Sequence, residues 1–161
     1  MHVEITLADP APLQAQLKSI YQGAYQNLLQ YAYKGEQPVA EYFNWLQRRA
    51  SEGFLIAFRD RIPIGFIVVE SDWITVNDER VGEIHELAVL PAYQGCGVGQ
   101  QLFTRGLDML RSHHQHRFEL WVGEHNTKAK AMYRHFGFSE QETWFRWLRM
   151  TMEESPPVQP S

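Results

Sequence analysis

The chain has 161 residues, 44% of them hydrophobic, and a formal net charge of -4. Its length predicts one domain with a sizeable core, and no apolar run approaches the ~18 residues that a membrane span requires. The negative balance argues against unspecific nucleic-acid binding, which needs clustered cationic side chains. The start of the chain lacks the basic and apolar segments of a secretory signal. Because Cys96 is the single cysteine, an intramolecular disulfide is impossible, and we expect a cytoplasmic protein.

The first half of the chain predicts short strands and two helices. Strand 62–71 is an almost continuous apolar run, as in a strand that is covered on both faces. Asp9 and Pro10 are typical of a helix start. A loop is expected over 31–38, between the helices. The predicted strands of this half cover residues 1–7, 54–58 and 62–71, and the predicted helices cover residues 9–28 and 39–50.

The second half predicts a helix between two central strands, which is a crossover typical of mixed α/β folds. The predicted strands cover residues 81–90, 118–122 and 143–152, and the predicted helices cover residues 98–112 and 126–136. Residues 153–161 contain three prolines and no apolar periodicity. We therefore expect one domain over residues 1–152 and a disordered C-terminal tail over residues 153–161.

A glycine-rich loop, Gln94–Gly99, lies between a predicted strand and a predicted helix. Glycines allow a tight turn and a close approach to a ligand, and the helix N-terminus favours an anion such as phosphate. A P-loop would need Lys and then Ser or Thr, where this chain has Gln100 and Gln101. A dinucleotide-binding loop would need the pattern G-x-G-x-x-G. Gly95 and Gly97 match its first two glycines, but Gln100 stands at the third. The spacing Gln-x-x-Gly-x-Gly suits a pyrophosphate arm without a metal, as in coenzyme A.

Two segments carry the most specific pattern of the sequence. Residues 83–99 read EIHELAVLPAYQGCGVG, and residues 126–138 read NTKAKAMYRHFGF. The first resembles the central strand and the Q/R-x-x-G-x-G/A loop of the GNAT superfamily of acetyl-CoA-dependent N-acyltransferases, and the second resembles the family's N-x-x-A-x-x-x-Y-x-x-x-G-F helix. The resemblance implies a mixed, mostly antiparallel sheet that is flanked by helices, with splayed central strands and a pyrophosphate loop.

The resemblance also implies a set of coenzyme contacts and no metal. Backbone groups of 87–89 would pair with the pantetheine arm, and backbone amides of 94–100 would hold the pyrophosphate. Val89 and Trp121 would lie on the two strands that splay apart. The coenzyme-binding residues implied in this way are Leu87, Ala88, Val89, Gln94, Gly95, Cys96, Gly97, Val98, Gly99, Gln100, Asn126, Ala129 and Tyr133.

Transfer to an amine needs a base and an acid, because a lysine-type amine with a pKa near ~10 is protonated at neutral pH and the leaving thiolate needs a proton. We predict Tyr133 as the general acid, against the alternative of a buried aromatic residue. Glu83, His85 and Glu86 are the candidate bases. Alternation puts Glu86 on the opposite strand face from the other two unless a bulge intervenes. Glu83 resembles by position the catalytic glutamate of the histone acetyltransferase branch, and Glu86 is closer to the expected thioester.

The acceptor is less well defined by the sequence. Ribosomal-protein N-terminal acetyltransferases carry a glutamate where this chain has Trp121, so we favour a small-molecule amine, with a protein N-terminus or a non-catalytic acyl-CoA sensor as alternatives. Aromatic side chains of the first two helices border the acceptor side in the family, and with acidic groups they can hold a cation. These aromatic residues are Tyr21, Tyr25, Tyr31, Tyr33, Tyr42 and Trp45. Residues 144–148 are an expected dimer edge, and the histidines near residue 114 suit a helix end better than a metal.

Overall fold

The computed structural model describes residues 1–156, 158 and 160. Within these residues the chain forms seven strands and four helices in the predicted order. The strands are β1 (Glu4–Leu7), β2 (Phe54–Arg59), β3 (Ile62–Ile74), β4 (Arg80–Val89), β5 (Arg117–Gly123), β6 (Ser139–Trp144) and β7 (Trp147–Glu153). The helices are α1 (Gln14–Ala24), α2 (Glu36–Arg49), α3 (Val98–Ser112) and α4 (Thr127–His135).

The strands form one sheet in the order β1-β2-β3-β4-β5-β7-β6. Every neighbouring pair is antiparallel except β4 and β5, which are parallel. Parallel neighbours need a crossover, and α3 supplies it. The predicted fold class, a mixed and mostly antiparallel sheet with flanking helices, is confirmed.

Helices cover both faces of the sheet. Leu17 of α1 and Phe43 of α2 pack on one face together with Phe66 of β3. Phe103 of α3 and Tyr133 of α4 pack on the other face. Residues 63–69 of β3 are buried throughout, which matches the apolar run in the sequence. The sheet is therefore packed between two layers of helices, and this packing positions its central strands.

The central strands β4 and β5 separate after a short paired segment. Their register runs only from Gly82 opposite Phe118 to Ile84 opposite Leu120. Beyond these positions β4 stays paired with β3, and β5 stays paired with β7. The predicted splay of the central strands is confirmed, and it leaves a gap in the middle of the sheet.

The structure corrects three predicted boundaries. The strand predicted over 143–152 corresponds to β7 from residue 147 onwards, but a turn at Phe145, with φ 55°, separates its first two residues, which end β6. The first helix ends at Ala24 rather than at residue 28, and α2 begins at Glu36 within the predicted loop. No alternating burial marks β6, since all six of its residues are exposed.

The first residues of the C-terminal segment contact the rest of the chain. Glu153 ends β7, and Arg111 of α3 donates to the carboxylate of Glu154 at 3.0 Å. Positions 157, 159 and 161 of the predicted tail lie outside the described residues. The expected dimer edge lies at the β6–β7 turn, where Trp144 is 67% exposed and Phe145 is 81% exposed. A dimer through this turn stays a prediction.

Candidate functional site

The gap between β4 and β5 opens into a cleft with a volume of about 1140 Å³. Side chains of α1, α2 and the loop between them line the part that we call the acceptor end, and residues of the glycine loop and of α4 also line the cleft. The predicted site residues that line the cleft are Glu83, His85, Glu86, Leu87, Val89, Gln94, Gly95, Gly97, Gly99, Gln100, Asn126, Ala129 and Tyr133. The two segments that suggested the family are therefore brought together around one cavity.

The glycine loop has the backbone that an anion cradle requires. Gly95 has φ 76° and Gly97 has φ 84°, in the left-handed region that favours glycine. Gly97 is the N-cap of α3, whose first backbone N–H groups point back at the loop. The side chain of Gln94 donates from Nε2 to the carbonyl oxygen of Val89 at 2.9 Å. This bond ties the loop to β4, and it occupies a carbonyl that the resemblance assigned to the pantetheine arm.

Three of the implied coenzyme contacts do not line the cleft. Ala88 is buried in the layer under α1 and α2, and Val98, the first residue of α3, is buried in the core on the other face of the sheet. Cys96 is exposed, and its Sγ lies 3.8 Å from the carbonyl oxygen of Gln94. If these residues contact a coenzyme, they do so through backbone groups, which is the role that the resemblance implies.

A bulge at His85 determines which side chains of β4 reach the acceptor end. Val68 pairs with Glu86 and Val69 pairs with Ile84, so His85 is an extra residue in β4. Strict alternation would separate Glu86 from Glu83 and His85. The bulge, which the sequence left open as the alternative, places Glu86 on their side. All three side chains line the cleft.

Glu86 is a buried carboxylate held by two phenols. Tyr42 donates its hydroxyl to Oε2 at 2.6 Å, and Tyr25 donates to Oε1 at 2.8 Å. Burial raises the pKa of Glu86 to about 7. The two hydroxyls and the Leu87 N–H act in the opposite direction, because their hydrogen bonds stabilise the carboxylate and lower its pKa. A carboxylate with a pKa near neutrality is matched to accept a proton at physiological pH. The sequence placed both tyrosines in the aromatic group from which a few were expected to line the pocket, but it gave no sign that they bind Glu86.

Tyr133 reaches the same cleft from α4. Its ring packs against Phe103, with 5.1 Å between ring centroids, and the residue is 9% exposed. Burial raises the pKa of its hydroxyl, and the negative charge of Glu86 adds to the effect. The phenol therefore stays protonated at neutral pH, as a general acid must. Asn126 begins the same helix by accepting the N–H of Ala129 at 3.3 Å.

His85 is fixed in a polar and aromatic frame. Its ring lies edge-on to Trp45 and to Trp73, with centroids 5.1 Å from each. Nε2 lies 2.8 Å from Oε1 of Glu70. The other carboxylate oxygen of Glu70, Oε2, accepts from Arg49. Burial lowers the pKa of His85 more than Glu70 raises it, so the imidazole is neutral at pH 7. Trp73 was missed because the predicted strand stopped at residue 71.

Glu83 contacts a second carboxyl that sequence reasoning did not place in the site. Glu119 of β5 lies opposite Glu83 in the parallel register, and both residues are buried. Arg149 of β7 donates to Glu119 at 3.2 Å. Burial is the main cause that raises the pKa of Glu83 well above its ordinary value, and Glu119 raises it further.

Phenol and indole rings form the wall of the acceptor end. Tyr21 lies 5.5 Å from Tyr42, and Tyr33 lies 4.8 Å from Tyr42, between ring centroids. The hydroxyl of Tyr21 accepts the backbone N–H of Tyr33 at 2.9 Å. Tyr31, Trp121 and Trp147 complete this part of the lining. The predicted aromatic pocket is therefore assembled around two carboxyls, Glu83 and Glu86.

Two searches of the described residues give negative findings. Across residues 1–156, 158 and 160, no three His, Cys, Asp or Glu side chains converge as a metal site would require. The histidines at 113, 114 and 116 belong to the end of α3 and the turn after it. Nor does any helix in these ranges combine the length and the hydropathy that are needed to cross a membrane.

Sequence comparison relates the chain to acetyltransferases. An uncharacterized N-acetyltransferase of Methanocaldococcus jannaschii is 35% identical over 132 residues, which are 81% of this chain and 58% of that protein. An uncharacterized N-acetyltransferase of Archaeoglobus fulgidus is also 35% identical over 132 residues, which are 89% of its length. A mycothiol acetyltransferase of Beutenbergia cavernae is 38% identical over 95 residues, 59% of this chain and 28% of that enzyme. The chain thus spans little more than half of the first relative and less than a third of the last.

Similar solved structures and a match to a protein-family model also relate the chain to acetyltransferases. A Pyrococcus horikoshii OT3 protein has a TM-score of 0.85 and 33% identity, covering 96% of this chain and 99% of its own. An N-acetyltransferase of Thermoplasma acidophilum, in complex with coenzyme A, shares the fold with a TM-score of 0.73 at 18% identity, over 96% of this chain and 100% of its own. The model of the acetyltransferase (GNAT) family matches residues 15–138. This match covers most of the chain, which therefore belongs to the acetyltransferase (GNAT) family.

Proposed function

We propose that the protein transfers an acetyl group from acetyl-CoA to the primary amine of a small molecule, by direct attack in a ternary complex. The observation that carries the proposal is Glu86, a buried carboxylate with a pKa of about 7 in the cleft between the splayed strands. Membership of an acetyltransferase family supports acetyl as the transferred group. Coenzyme A in the Thermoplasma acidophilum structure of the same fold supports the donor.

The donor end of the cleft fits the pyrophosphate of a coenzyme A molecule. A Cβ at Gly95 would meet no atom within 4 Å, and a Cβ at Gly99 would lie 3.8 Å from Cγ2 of Val89, its nearest neighbour. These glycines are therefore not required by packing within the protein itself. Backbone N–H groups at the start of α3 would hold the phosphates without a metal, because a helix N-terminus favours anions.

Glu86 and Tyr133 would divide the proton transfers. Glu86 accepts one proton from the ammonium form of the acceptor, and the amine nitrogen then attacks the acetyl carbonyl carbon. As the C–N bond forms and the C–S bond breaks, Tyr133 donates its proton to the departing sulfur. Tyr133 regains a proton from the nitrogen, directly or through water. The products are an acetamide, a thiol and protonated Glu86, so every proton is accounted for.

A cationic or aromatic small molecule fits the acceptor end best. Tyr33 and Tyr42 offer ring faces, and the carboxylate of Glu86 lies among them. Trp121 lies on β5 in the cleft, where the N-terminal acetyltransferases of ribosomal proteins carry a glutamate. The likeness to mycothiol acetyltransferase, named for a small molecule, supports the same preference.

Thermal unfolding followed by a turnover screen tests the proposal. Acetyl-CoA at ~100 times its dissociation constant should add about 2.7 kcal/mol, a shift of a few degrees, whereas ATP and NAD should not. Aliphatic and aromatic amines are then screened for acetylation, with peptides that carry free N-termini as a separate arm. Acetylation of small amines supports the proposal. Acetylation of peptides alone would overturn the small-molecule acceptor, and no shift with acetyl-CoA would overturn the donor.

We expect Gly99→Ala to separate protein stability from coenzyme binding. Gly99 lies in the first turn of α3 and borders the cleft, and the new methyl group has room in the free protein. Ala is better than Gly in a helix by up to ~1 kcal/mol, so the melting temperature should hold or rise. The methyl group faces the space that the pyrophosphate needs, and the dissociation constant of acetyl-CoA should rise by roughly tenfold, or about 1.4 kcal/mol. Thr104→Ala, on an exposed part of α3, is the control; unaltered affinity in Gly99→Ala would contradict the cradle.

A further inference from the structure

A buried carboxyl pair lies where β4 and β5 are still paired, beside the cleft. Glu83 is 3% exposed, Glu119 is 1% exposed, and the two residues lie opposite each other in the β4–β5 register. Oε2 of Glu83 is fully buried and receives no hydrogen bond from any residue that the structure describes. Two carboxyls in contact cannot both ionise without strong repulsion, so the pair must hold a proton.

The charges around the pair place this proton on Glu83. Nη1 of Arg149 donates to Oε1 of Glu119 at 3.2 Å, which stabilises Glu119 as the anion. Glu142 accepts from the same guanidinium at 2.6 Å. The charged groups that act on Glu83 are Glu119 from β5, Glu70 from β3 and Arg149 from β7. Burial and both carboxylates oppose its ionisation, and Arg149 alone favours it.

We propose that Glu119, which is ion-paired with Arg149, is a positioning residue that keeps Glu83 protonated, so that Glu83 meets the acceptor amine as a neutral hydrogen-bond acceptor. The inference rests on the proposed acetyl transfer and assigns different tasks to the two carboxyls of the cleft. The O–H of Glu83 donates to Glu119, and its carbonyl oxygen accepts an N–H of the amine. Glu83 keeps its proton throughout the reaction, and Glu86 is the base.

A neutral Glu83 favours the reactive form of the amine. An ammonium has no lone pair for attack, and an opposite charge within ~4–6 Å favours the charged form of a titrating group. A second carboxylate beside Glu86 would therefore hold the acceptor as ammonium. A neutral carboxyl orients the same N–H bond without stabilising the positive charge. The pair thus provides orientation, and deprotonation is left to Glu86.

Substitution of the two carboxyls, singly and together, tests the proposal. Glu83→Gln copies the shape of the protonated side chain, so kcat/KM should fall by no more than about tenfold, whereas loss of a general base costs about 10²–10⁴-fold. Glu119→Gln removes the charge that holds the proton, so Glu83 ionises. At pH 7, kcat/KM should then fall by roughly tenfold, and an unreactive ammonium should bind more tightly. Glu142→Gln, on the exposed edge strand, is the control for a change at the same arginine.

The double variant and infrared spectroscopy distinguish this role from a structural one. In the Glu83→Gln background, the further substitution Glu119→Gln should lower kcat/KM only slightly, because the amide has no carboxyl proton for Glu119 to retain. Additive losses would overturn the proposal, as would a fall of 100-fold or more in Glu83→Gln. Beside the band of Glu86, whose pKa is about 7, a second protonated-carboxyl band should be present at pH 7 in the unmodified protein and absent from either single variant. Its absence from the unmodified protein would overturn the proposal even if acetyl transfer is found, whereas its presence without turnover would count against the proposed function alone.

Discussion

Glu86→Gln should abolish most of the turnover and make the protein more stable. The amide cannot accept a proton, so kcat/KM for the acceptor should fall by about 10²–10⁴-fold, the usual worth of a general base. In the unmodified enzyme, kcat/KM should rise with pH through about 7 as Glu86 ionises. This limb of the pH profile should be missing from the variant. Steady-state kinetics from pH 5.5 to 8.5 would measure both effects.

The gain in stability follows from the raised pKa of Glu86. The folded protein binds this proton up to about pH 7, whereas the unfolded chain releases it near the ordinary value of 4.5. Stability therefore falls as the pH rises from about 4.5 to about 7, by on the order of 3 kcal/mol. Glu86→Gln removes this loss, so its advantage in melting temperature should be absent at pH 4 and largest at pH 8.

Glu41→Gln provides the matched control for Glu86→Gln. Glu41 is an exposed carboxylate of α2, next in sequence to the tyrosine that binds Glu86. Its substitution should change neither the pH profile nor the pH dependence of the melting temperature. Full activity in Glu86→Gln would show that another group accepts the proton, and a fall in stability at pH 8 would show that the carboxylate is held more favourably than its burial indicates.

Tyr133→Phe should separate chemistry from coenzyme binding. The phenyl ring keeps the contact with Phe103, and the lost hydroxyl is the proposed donor to the departing sulfur. We expect kcat to fall by about 10²-fold or more, the lower range for proton transfer. The dissociation constant of acetyl-CoA should stay within about threefold, a change of less than 1 kcal/mol. Single-turnover kinetics and calorimetric titration would measure the two quantities.

This variant also discriminates between an enzyme and a sensor. A non-catalytic acyl-CoA sensor would not depend on the hydroxyl of Tyr133, so its acyl-CoA response would be unaltered by the substitution. Tyr93→Phe is the control, because Tyr93 precedes the glycine loop and packs with Arg59 outside the cleft. Equal turnover in both variants would exclude Tyr133 as the acid.

The sequence was most informative where a local rule applies. The glycine loop could be placed because positive φ angles leave few alternatives to glycine. The crossover helix and the buried strand β3 followed from the spacing of apolar residues. β6 gave no such signal, since none of its side chains is buried and the sequence shows no alternation between faces. Only its last two residues were therefore predicted as strand, joined to β7 in the segment 143–152.

The chemistry of the site depended on non-local features. Nothing in the composition around His85 marks the bulge that brings Glu86 to the acceptor side. The contact of Glu83 with Glu119 depends on the register of two strands that are joined through α3, and Arg149 comes from a third strand. Sequence patterns identified the carboxyls of β4 as candidates, but their different environments come from tertiary packing.

The gap between β4 and β5 also divides the molecule mechanically. Strands β1 to β4 form one antiparallel unit and β5, β6 and β7 form another, and the two units are paired only from Gly82 to Ile84. A force that pulls the units apart is resisted by few backbone hydrogen bonds along this seam. A pantetheine arm that is bonded to β4 inside the seam would add resistance there. The donor substrate would therefore also serve as a structural element, and the protein would be stiffest with acetyl-CoA bound and most extensible between turnovers.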